Sequence, residues 1–189
     1  MILYEDNHLL VLNKPAGMLV QGDRTGDATL TDWGKNYLKE KYGKPGNVFL
    51  VPAHRIDRPV SGAVLFARTD KALGRLTKLF RDQQVTKTYW ALVVNPPQPP
   101  SAELRHYLWK DEQKNIVKVF TGPSKDAKES ITRYTYKGGK GPYYWLLVEP
   151  LTGRAHQIRA QLGFIGCPIA GDLKYGAPQP LFDASIALH

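Results

Sequence analysis

The segment that most constrains the fold is residues 54–62, which lie between two apolar runs at residues 48–51 and 63–67. Both runs have the length and composition of β-strands. Within the segment, Pro59 fixes one backbone angle, and Gly62 can adopt conformations that other residues avoid. A loop held at both ends by strands can keep a chemical group in a fixed geometry. We therefore treat this loop as the centre of the predicted fold.

The loop contains one carboxylate, Asp57, between two arginines, Arg55 and Arg58. One interpretation is a surface turn in which Asp57 caps backbone amides and both arginines are solvated. The other interpretation is a functional carboxylate with cations beside it. The density of functional groups in this short segment favours the second.

Several other segments have the pattern of strands, and three have the spacing of helices. Predicted strands are residues 2–4, 9–12, 18–20, 86–94, 104–110, 116–120, 130–136 and 143–150. We predict three helices. The first covers residues 29–42 with Thr29 or Thr31 as its cap, the second runs from Thr69-Asp70 to about Gln83, and the third follows Thr152-Gly153. Their predicted buried faces are Leu30, Trp33, Tyr37 and Leu38, then Leu73, Leu76, Leu79 and Phe80, and finally Ala155, Ile158 and Leu162.

Length and charge narrow the class of protein. A chain of 189 residues is predicted to form one domain, and its net charge of +9 favours a polyanionic partner: RNA, DNA or an anionic membrane. No apolar run approaches the roughly 20 residues of a membrane span. The single Cys167 can form no internal disulfide, which fits a reducing cytoplasm. No His and Cys residues have the spacing of a metal site.

Three further segments share a family pattern with the Asp57 loop. They are Asn13-Lys14-Pro15-Ala16-Gly17, then Lys87-Thr88-Tyr89-Trp90-Ala91, and residues 152–176 with Thr152-Gly153-Arg154-Ala155-His156-Gln157-Ile158-Arg159. Taken alone, the first segment is more typical of a turn with a solvated lysine. Together, the segments resemble the motifs of the RluA-type pseudouridine synthases. Ile56 and Val60 depart conservatively from the usual Leu and Thr, and His54 favours the RluA type over the RsuA type.

The resemblance implies an α+β fold: a mixed, mostly antiparallel sheet with packed helices and an RNA-binding cleft. It also implies a single catalytic domain over residues 1–189, with no S4-type RNA-binding domain before it, because the family pattern begins at residue 2. Relatives usually continue with another strand after the position of His189. We expect a sequence that is either incomplete or naturally short at this end.

The resemblance also implies roles for individual residues. Asp57 is the catalytic carboxylate, Tyr89 lies beside the reacting uridine, and Arg159 pairs with Asp57. The implied substrate-binding residues are Arg55, His54, Lys87, Arg154 and His156. The alternative for Tyr89 is a tyrosine packed in a sheet, and the alternative for Arg159 is a helix-packing arginine paired with another acid.

The implied reaction breaks the N-glycosidic bond of uridine and rejoins the ring to ribose through C5. Since neither redox change nor hydrolysis occurs, we expect no cofactor and no metal. The expected partner is ribosomal or transfer RNA, without a membrane, and we expect a monomer in the cytoplasm. Residue types leave open whether Asp57 acts as nucleophile or base.

Two other functions remain as alternatives. A catalytically silent RNA-binding module of the same fold would need the basic surface but not Asp57. A hydrolase using Asp57 with His54 or His156 would need a water-activating base or a metal, and the sequence shows neither.

Overall fold

The protein consists of two compact units, Met1–Val85 and Thr86–His189. The computed structural model describes residues 1–23 and 25–189. Each unit combines an antiparallel sheet with helices, which confirms the predicted α+β class. The prediction of a single catalytic domain stays a prediction.

The N-terminal unit is built on a four-stranded sheet in the order β1-β2-β4-β3. Its elements are β1 Ile2–Glu5, β2 Leu9–Lys14, α1 Leu30–Lys41, β3 Val51–Pro52, β4 Gly62–Ala67 and α2 Asp70–Arg81. The central pair, β2 and β4, runs antiparallel from Leu9 opposite Ala67 to Lys14 opposite Gly62. Alternate residues of this pair form a core with residues of α1. This core supports the strand that leads out of the Asp57 loop.

Both helices of this unit begin at the threonines that the sequence indicates. Thr29 accepts a hydrogen bond from Asp32 N, and Thr29 N donates to the Asp32 carboxylate, which completes a capping box. Thr69 accepts from Ala72 N at the start of α2. The two predicted helices are confirmed to within about two residues at each end.

Three predictions for this unit are wrong. Residues 48–50 form no strand, although Val48 and Leu50 are buried in the core. Residues 18–20 also form no strand; Leu19 makes an isolated parallel bridge to Thr29. Leu79 is 38% exposed and does not join the buried face of α2. Apolar character favours burial, but the tertiary structure decides whether an apolar segment pairs as a strand and which of its residues are buried.

The C-terminal unit is built on a five-stranded antiparallel sheet in the order β5-β9-β8-β6-β7. Its strands are β5 Tyr89–Val93, β6 Ser101–Asp111, β7 Ile116–Phe120, β8 Lys128–Lys140 and β9 Tyr143–Pro150. The predicted bounds of β7 and β9 are confirmed, whereas β6 and β8 extend beyond their predicted ranges. The chain end pairs with β5, where Trp90 N donates to His189 O at 2.8 Å.

The third helix, α3 Gln157–Phe164, packs on this sheet. Ile158 and Leu162 are buried as predicted, but Ala155 precedes the helix and is exposed, so its predicted inward position is wrong. A 3₁₀ turn, Leu173–Tyr175, lies against α3. Gly163 permits this contact, since a Cβ there would lie 2.5 Å from Tyr175 O.

Candidate functional site

The Asp57 loop is fixed at its start by the side chain of His54. Ala53 N donates to Leu65 O at 2.8 Å, and Leu65 N then donates to His54 Nε2 at 3.2 Å. The imidazole therefore accepts, at Nε2, the next hydrogen bond along β4, where a paired strand would present a backbone carbonyl oxygen. It also stacks on Phe80, with 5.0 Å between ring centroids. The structure thus gives His54 a role in holding the loop, while its predicted contact with substrate stays a prediction.

A buried lysine holds the same loop at Asp57. Lys14, at the end of β2, is 0% exposed. Its Nζ donates to Pro15 O at 2.9 Å, Met18 O at 2.7 Å and Arg58 O at 3.1 Å. These bonds use all three donors of the ammonium group. Lys14 therefore ties the loop that follows β2 to the backbone beside Asp57.

Burial changes the electrostatics of this lysine. Desolvation is the largest influence and lowers the pKa of Lys14 to about 8, with Asp57 opposing the change and Arg58 adding to it. The interpretation of Lys14 as a solvated residue in a turn is wrong. Periodicity offered a signal that could have found it, because Lys14 follows Leu10 and Leu12 on the buried face of β2.

The two arginines beside Asp57 have different surroundings. Arg58 Nε donates to Gly17 O at 2.9 Å, and its Nη1 lies 2.9 Å from Asp27 Oδ2. Arg55 is exposed. Asp57 itself is half-buried, and its carbonyl accepts a hydrogen bond from Val60 N at 3.1 Å. Arg58 therefore helps to hold the loop, whereas Arg55 is placed at the surface.

In the C-terminal unit, Lys87 lies just before β5 and Tyr89 is the first residue of that strand. Tyr89 is half-buried and pairs with Val148 of β9. Lys87 Nζ donates to Thr152 O at 2.9 Å, and burial lowers the pKa of Lys87. The Lys87 ammonium thus contacts the loop that leads into α3.

That loop is stabilised by the side chain of Gln157. Its Oε1 accepts hydrogen bonds from Thr152 Oγ1 at 2.8 Å and from Arg154 N at 2.9 Å. Arg154 is exposed, and its Nε donates to Glu129 O at 3.1 Å. His156, the N-cap residue of α3, has a left-handed backbone with φ of 50° and makes no side-chain cap. The buried Gln157 therefore fixes the loop that leads into α3.

Arg159 and His156 both contact the segment around the 3₁₀ turn. Arg159 is 5% exposed, and it donates from Nε to Asp172 Oδ2 at 2.7 Å and from Nη2 to Asp172 Oδ1 at 2.9 Å. Its guanidinium carbon lies 5.2 Å from the centroid of the Tyr175 ring. His156 Nδ1 lies 2.7 Å from Tyr175 Oη. Arg159 is therefore paired with Asp172, an acid other than Asp57, as the alternative interpretation states. Its pairing with Asp57 stays a prediction.

The structure therefore divides the predicted site residues into two groups. His54, Arg55 and Asp57 lie on one loop of the N-terminal unit. The C-terminal unit carries Lys87, Tyr89, Arg154, His156 and Arg159. Sequence reasoning included Asp172 and Tyr175 in a family segment but assigned them no role.

The described residues offer neither a metal site nor a membrane-spanning helix. Across residues 1–23 and 25–189, no group of three or more His, Cys, Asp or Glu is arranged to hold a metal ion. No helix in the same described ranges is long and apolar enough to cross a membrane.

A sequence model of one protein family, described as RNA pseudouridylate synthase, matches residues 8–163. This span includes the Asp57 loop, β5 and most of α3. The chain belongs to the RNA pseudouridylate synthase family. The predicted family resemblance is confirmed.

Individual relatives agree with this assignment. The ribosomal large subunit pseudouridine synthase C of Vibrio vulnificus (strain CMCP6) is 38% identical over 190 residues, which are 100% of this chain and 56% of the relative. The tRNA pseudouridine synthase C of Vibrio parahaemolyticus serotype O3:K6 (strain RIMD 2210633) is 32% identical over 186 residues, covering 93% of this chain and 73% of that protein. The chain thus spans little more than half of the first relative.

A solved structure shares the fold. Human RNA pseudouridylate synthase domain containing 4 matches with a TM-score of 0.82 and 28% sequence identity. The match covers 100% of this chain and 81% of the human one. The predicted pseudouridylate synthase fold is therefore confirmed over the whole chain.

Proposed function

We propose that this protein is an RNA pseudouridine synthase that isomerises a uridine of ribosomal or transfer RNA, with Asp57 as its catalytic carboxylate. The observation that carries the proposal is the family match over residues 8–163, within which Asp57 lies. The relatives described above are named as ribosomal and transfer RNA pseudouridine synthases, which supports both substrate classes.

The surroundings of Asp57 suit this chemistry. The reaction needs a carboxylate that is ionised and held in place while the uracil is detached, turned and rejoined through C5. Lys14 and His54 restrict the loop on both sides of Asp57. The Lys14 ammonium and the Asp57 carboxylate carry opposite charges and attract each other. A fixed carboxylate beside a buried cation therefore supports either role proposed for Asp57, nucleophile or base.

The remaining predicted residues have proposed roles around the same carboxylate. The uridine must leave the RNA stack, at a cost of a few kcal/mol. Arg55, which is exposed, is proposed to fill the space that the uridine vacates, because a planar guanidinium stacks on bases. Tyr89 is proposed to lie beside the uracil, and Arg159 to pair with Asp57. His54, Lys87, Arg154 and His156 are proposed to contact the RNA.

The proposed partner follows from charge and family together. A net charge of +9 supports binding to the phosphates of RNA. We propose that the chain acts as a single catalytic domain and as a monomer in the cytoplasm. The isomerisation itself requires no exchange of electrons or of water, so we propose that it proceeds without a cofactor.

The decisive experiment compares Asp57→Asn with a matched control, Asp126→Asn. Asp126 is exposed and has φ of 62°, a conformation that asparagine tolerates. Each variant is incubated with ribosomal and transfer RNA, and pseudouridine is measured by nucleoside mass spectrometry. We expect Asp57→Asn to lose at least about 1,000-fold in rate while its RNA affinity changes by no more than about 1–2 kcal/mol.

The possible outcomes separate the alternatives. Near wild-type conversion by a folded Asp57→Asn variant would exclude Asp57 as the catalytic group. A wild-type protein that binds these RNAs but forms no pseudouridine would instead be a silent RNA-binding module. The control should convert uridine at the wild-type rate, since its substitution removes a surface charge in another loop.

A further inference from the structure

The segment Asp172–Tyr175 contacts Arg159, which the family resemblance implies in catalysis, and His156, which it implies in substrate binding. We propose that Asp172 and Tyr175 are positioning residues, which hold Arg159 and His156 in the orientation that the isomerisation requires. This inference rests on the proposed function and adds to it two residues that do not themselves contact the reacting atoms.

Asp172 fixes the plane of the Arg159 guanidinium. Its two carboxylate oxygens accept from Nε and Nη2, so the pair has two parallel hydrogen bonds. Such a bidentate contact determines both the direction and the rotation of the guanidinium, whereas a single bond would determine only its distance. Asp172 takes one edge of the guanidinium, which directs Nη1 away from this carboxylate.

The backbone around Asp172 is itself rigidly held. Asp172 N donates to Ile169 O at 2.9 Å, and Asp172 O accepts from Tyr175 N at 3.0 Å and from Ala177 N at 3.1 Å. The preceding Gly171 has φ of +86°, and a Cβ there would lie 2.6 Å from Ser185 O. Asp172 is 1% exposed, so water does not compete for its carboxylate. These contacts make Asp172 a fixed support for the arginine.

Tyr175 supports both residues at once. Its hydroxyl accepts a hydrogen bond from Val117 N at 2.9 Å and lies 2.7 Å from Nδ1 of His156. The ring of the same tyrosine lies beneath the Arg159 guanidinium, where a cation is attracted to the aromatic face. Tyr175 therefore couples the orientation of His156 to that of Arg159.

A role in stability alone is the competing explanation, and the chain offers a matched control for it. Thr132 is 0% exposed, and its hydroxyl contacts Gln157 and Gln161 of α3. Thr132→Val therefore disturbs the packing of α3 through different contacts from those of Arg159. If Asp172 served only stability, Asp172→Asn and Thr132→Val would both lower the melting temperature and leave the catalytic rate of the folded protein unchanged.

The experiment measures single-turnover rates of pseudouridine formation, RNA dissociation constants and the ¹⁵N–¹H signal of Arg159 Nε in the full chain. Asp172→Asn should lower the rate about 100-fold, the cost of a misplacement near 1 Å. Its RNA affinity should stay within about threefold, and the Arg159 Nε signal should shift. Tyr175→Phe, which removes only the hydroxyl, should lower the rate about tenfold. Thr132→Val should keep the wild-type rate and the wild-type Arg159 signal.

Several results would overturn the inference while leaving the proposed function intact. These are a folded Asp172→Asn variant within threefold of the wild-type rate, an unshifted Arg159 signal, or an equal rate loss in Thr132→Val. Should Asp172→Asn fail to fold, Tyr175→Phe decides, and a rate within threefold of wild type refutes the inference. A wild-type protein that forms no pseudouridine refutes the proposed function instead.

Discussion

The Asp57 loop (residues 54–62) and the α3 region (Gln157–Phe164 with its side-chain partners) are both held in place, but by different kinds of contact. The Lys14 ammonium donates to the Arg58 carbonyl of the loop and to two carbonyls of the turn after β2, those of Pro15 and Met18. In the α3 region, several buried side chains each contact two or more partners: Gln157, Arg159 and Gln161. A loop lacks regular backbone hydrogen bonds, so a cation that collects its carbonyls can take their place. A helix already pairs its backbone, which leaves side chains to fix its position on the sheet.

This difference predicts how each region responds to substitution. A single ammonium group, that of Lys14, joins the Asp57 loop to the turn after β2, so losing it should disturb both segments even though His54 and Arg58 keep their own contacts. The α3 region distributes its contacts over several amides and hydroxyls, and losing one of them should leave the others in place. Four measurements test this contrast, from the largest expected effect to the smallest.

Lys14→Met should lower the free energy of unfolding by about 3 kcal/mol, because three carbonyls lose a buried charged donor. Urea unfolding measures this change, and Lys35→Met on the exposed side of α1 provides the control. Pseudouridine formation should also be lost, since the backbone beside Asp57 is released. A loss below about 1 kcal/mol would show that the loop is held mainly by other contacts.

Comparing the wild type with Lys14→Met at several pH values tests the lowered pKa of Lys14. Its pKa is about 8 in the folded protein and near its ordinary value of about 10.4 in the unfolded chain. Between these values the unfolded chain binds more protons, so the contribution of Lys14 to stability rises with pH. The difference in unfolding free energy between wild type and Lys14→Met should therefore grow by about 2 kcal/mol from pH 7 to pH 9.5. A constant difference would contradict the lowered pKa.

Gln161→Leu should cost about 2 kcal/mol of unfolding free energy, less than Lys14→Met. The Gln161 amide accepts from Thr132 Oγ1 at 2.7 Å and donates to Leu104 O and Ser130 O, each at 3.2 Å. Gln157 and Arg159 keep their own contacts in the variant, so α3 should stay in position. Chemical denaturation gives the free energy, and Gln113→Leu, in the turn between β6 and β7, is the control. A cost larger than that of Lys14→Met would reverse the proposed contrast.

Glu5 lies at the centre of a side-chain network in the N-terminal unit. Replacing it shows whether this network, like that of α3, loses little stability when one member is removed. Its carboxylate accepts hydrogen bonds from Tyr37, Lys41, Tyr42 and Arg68. Partial burial by itself raises the pKa of Glu5, but the hydrogen bonds from Lys41, Tyr42 and Tyr37 outweigh it and lower the pKa to about 2. A lowered carboxyl pKa contributes stability above about pH 4.5, which is lost as the pH falls towards 2.

Glu5→Gln should therefore cost about 1–2 kcal/mol at pH 7, a value reduced by solvent screening of the partly exposed Lys41. The difference from wild type should shrink as the pH is lowered from 4.5 towards 2, measured by urea unfolding at each pH. Glu40→Gln, at an exposed position on α1, serves as the control. A difference that stays constant in acid would mean that the Glu5 charge contributes nothing to this network.

Short-range features of the protein were predictable from the sequence. The caps at Thr29 and Thr69, and the bounds of β7 and β9, depend on residues close together in the chain. The apolar runs on either side also placed the Asp57 loop between two strands, although the first of these, β3, is only Val51–Pro52. Cap residues and alternating patterns act over a few residues, so sequence order alone determines them.

Long-range partners were decided only by the tertiary structure. Lys14 and Arg58 are 44 residues apart, and Arg159 and Asp172 are 13 apart, so neither contact follows from local spacing. A lysine beside Pro15 and Gly17 is typical of a solvated turn. Lys14 is instead buried in the folded protein, where β2 pairs with β4. Whether a charged side chain is buried, and which group then satisfies it, depends on the surfaces that folding brings together. The sequence by itself determined where the functional groups stand in the chain, and the tertiary structure determined what holds them.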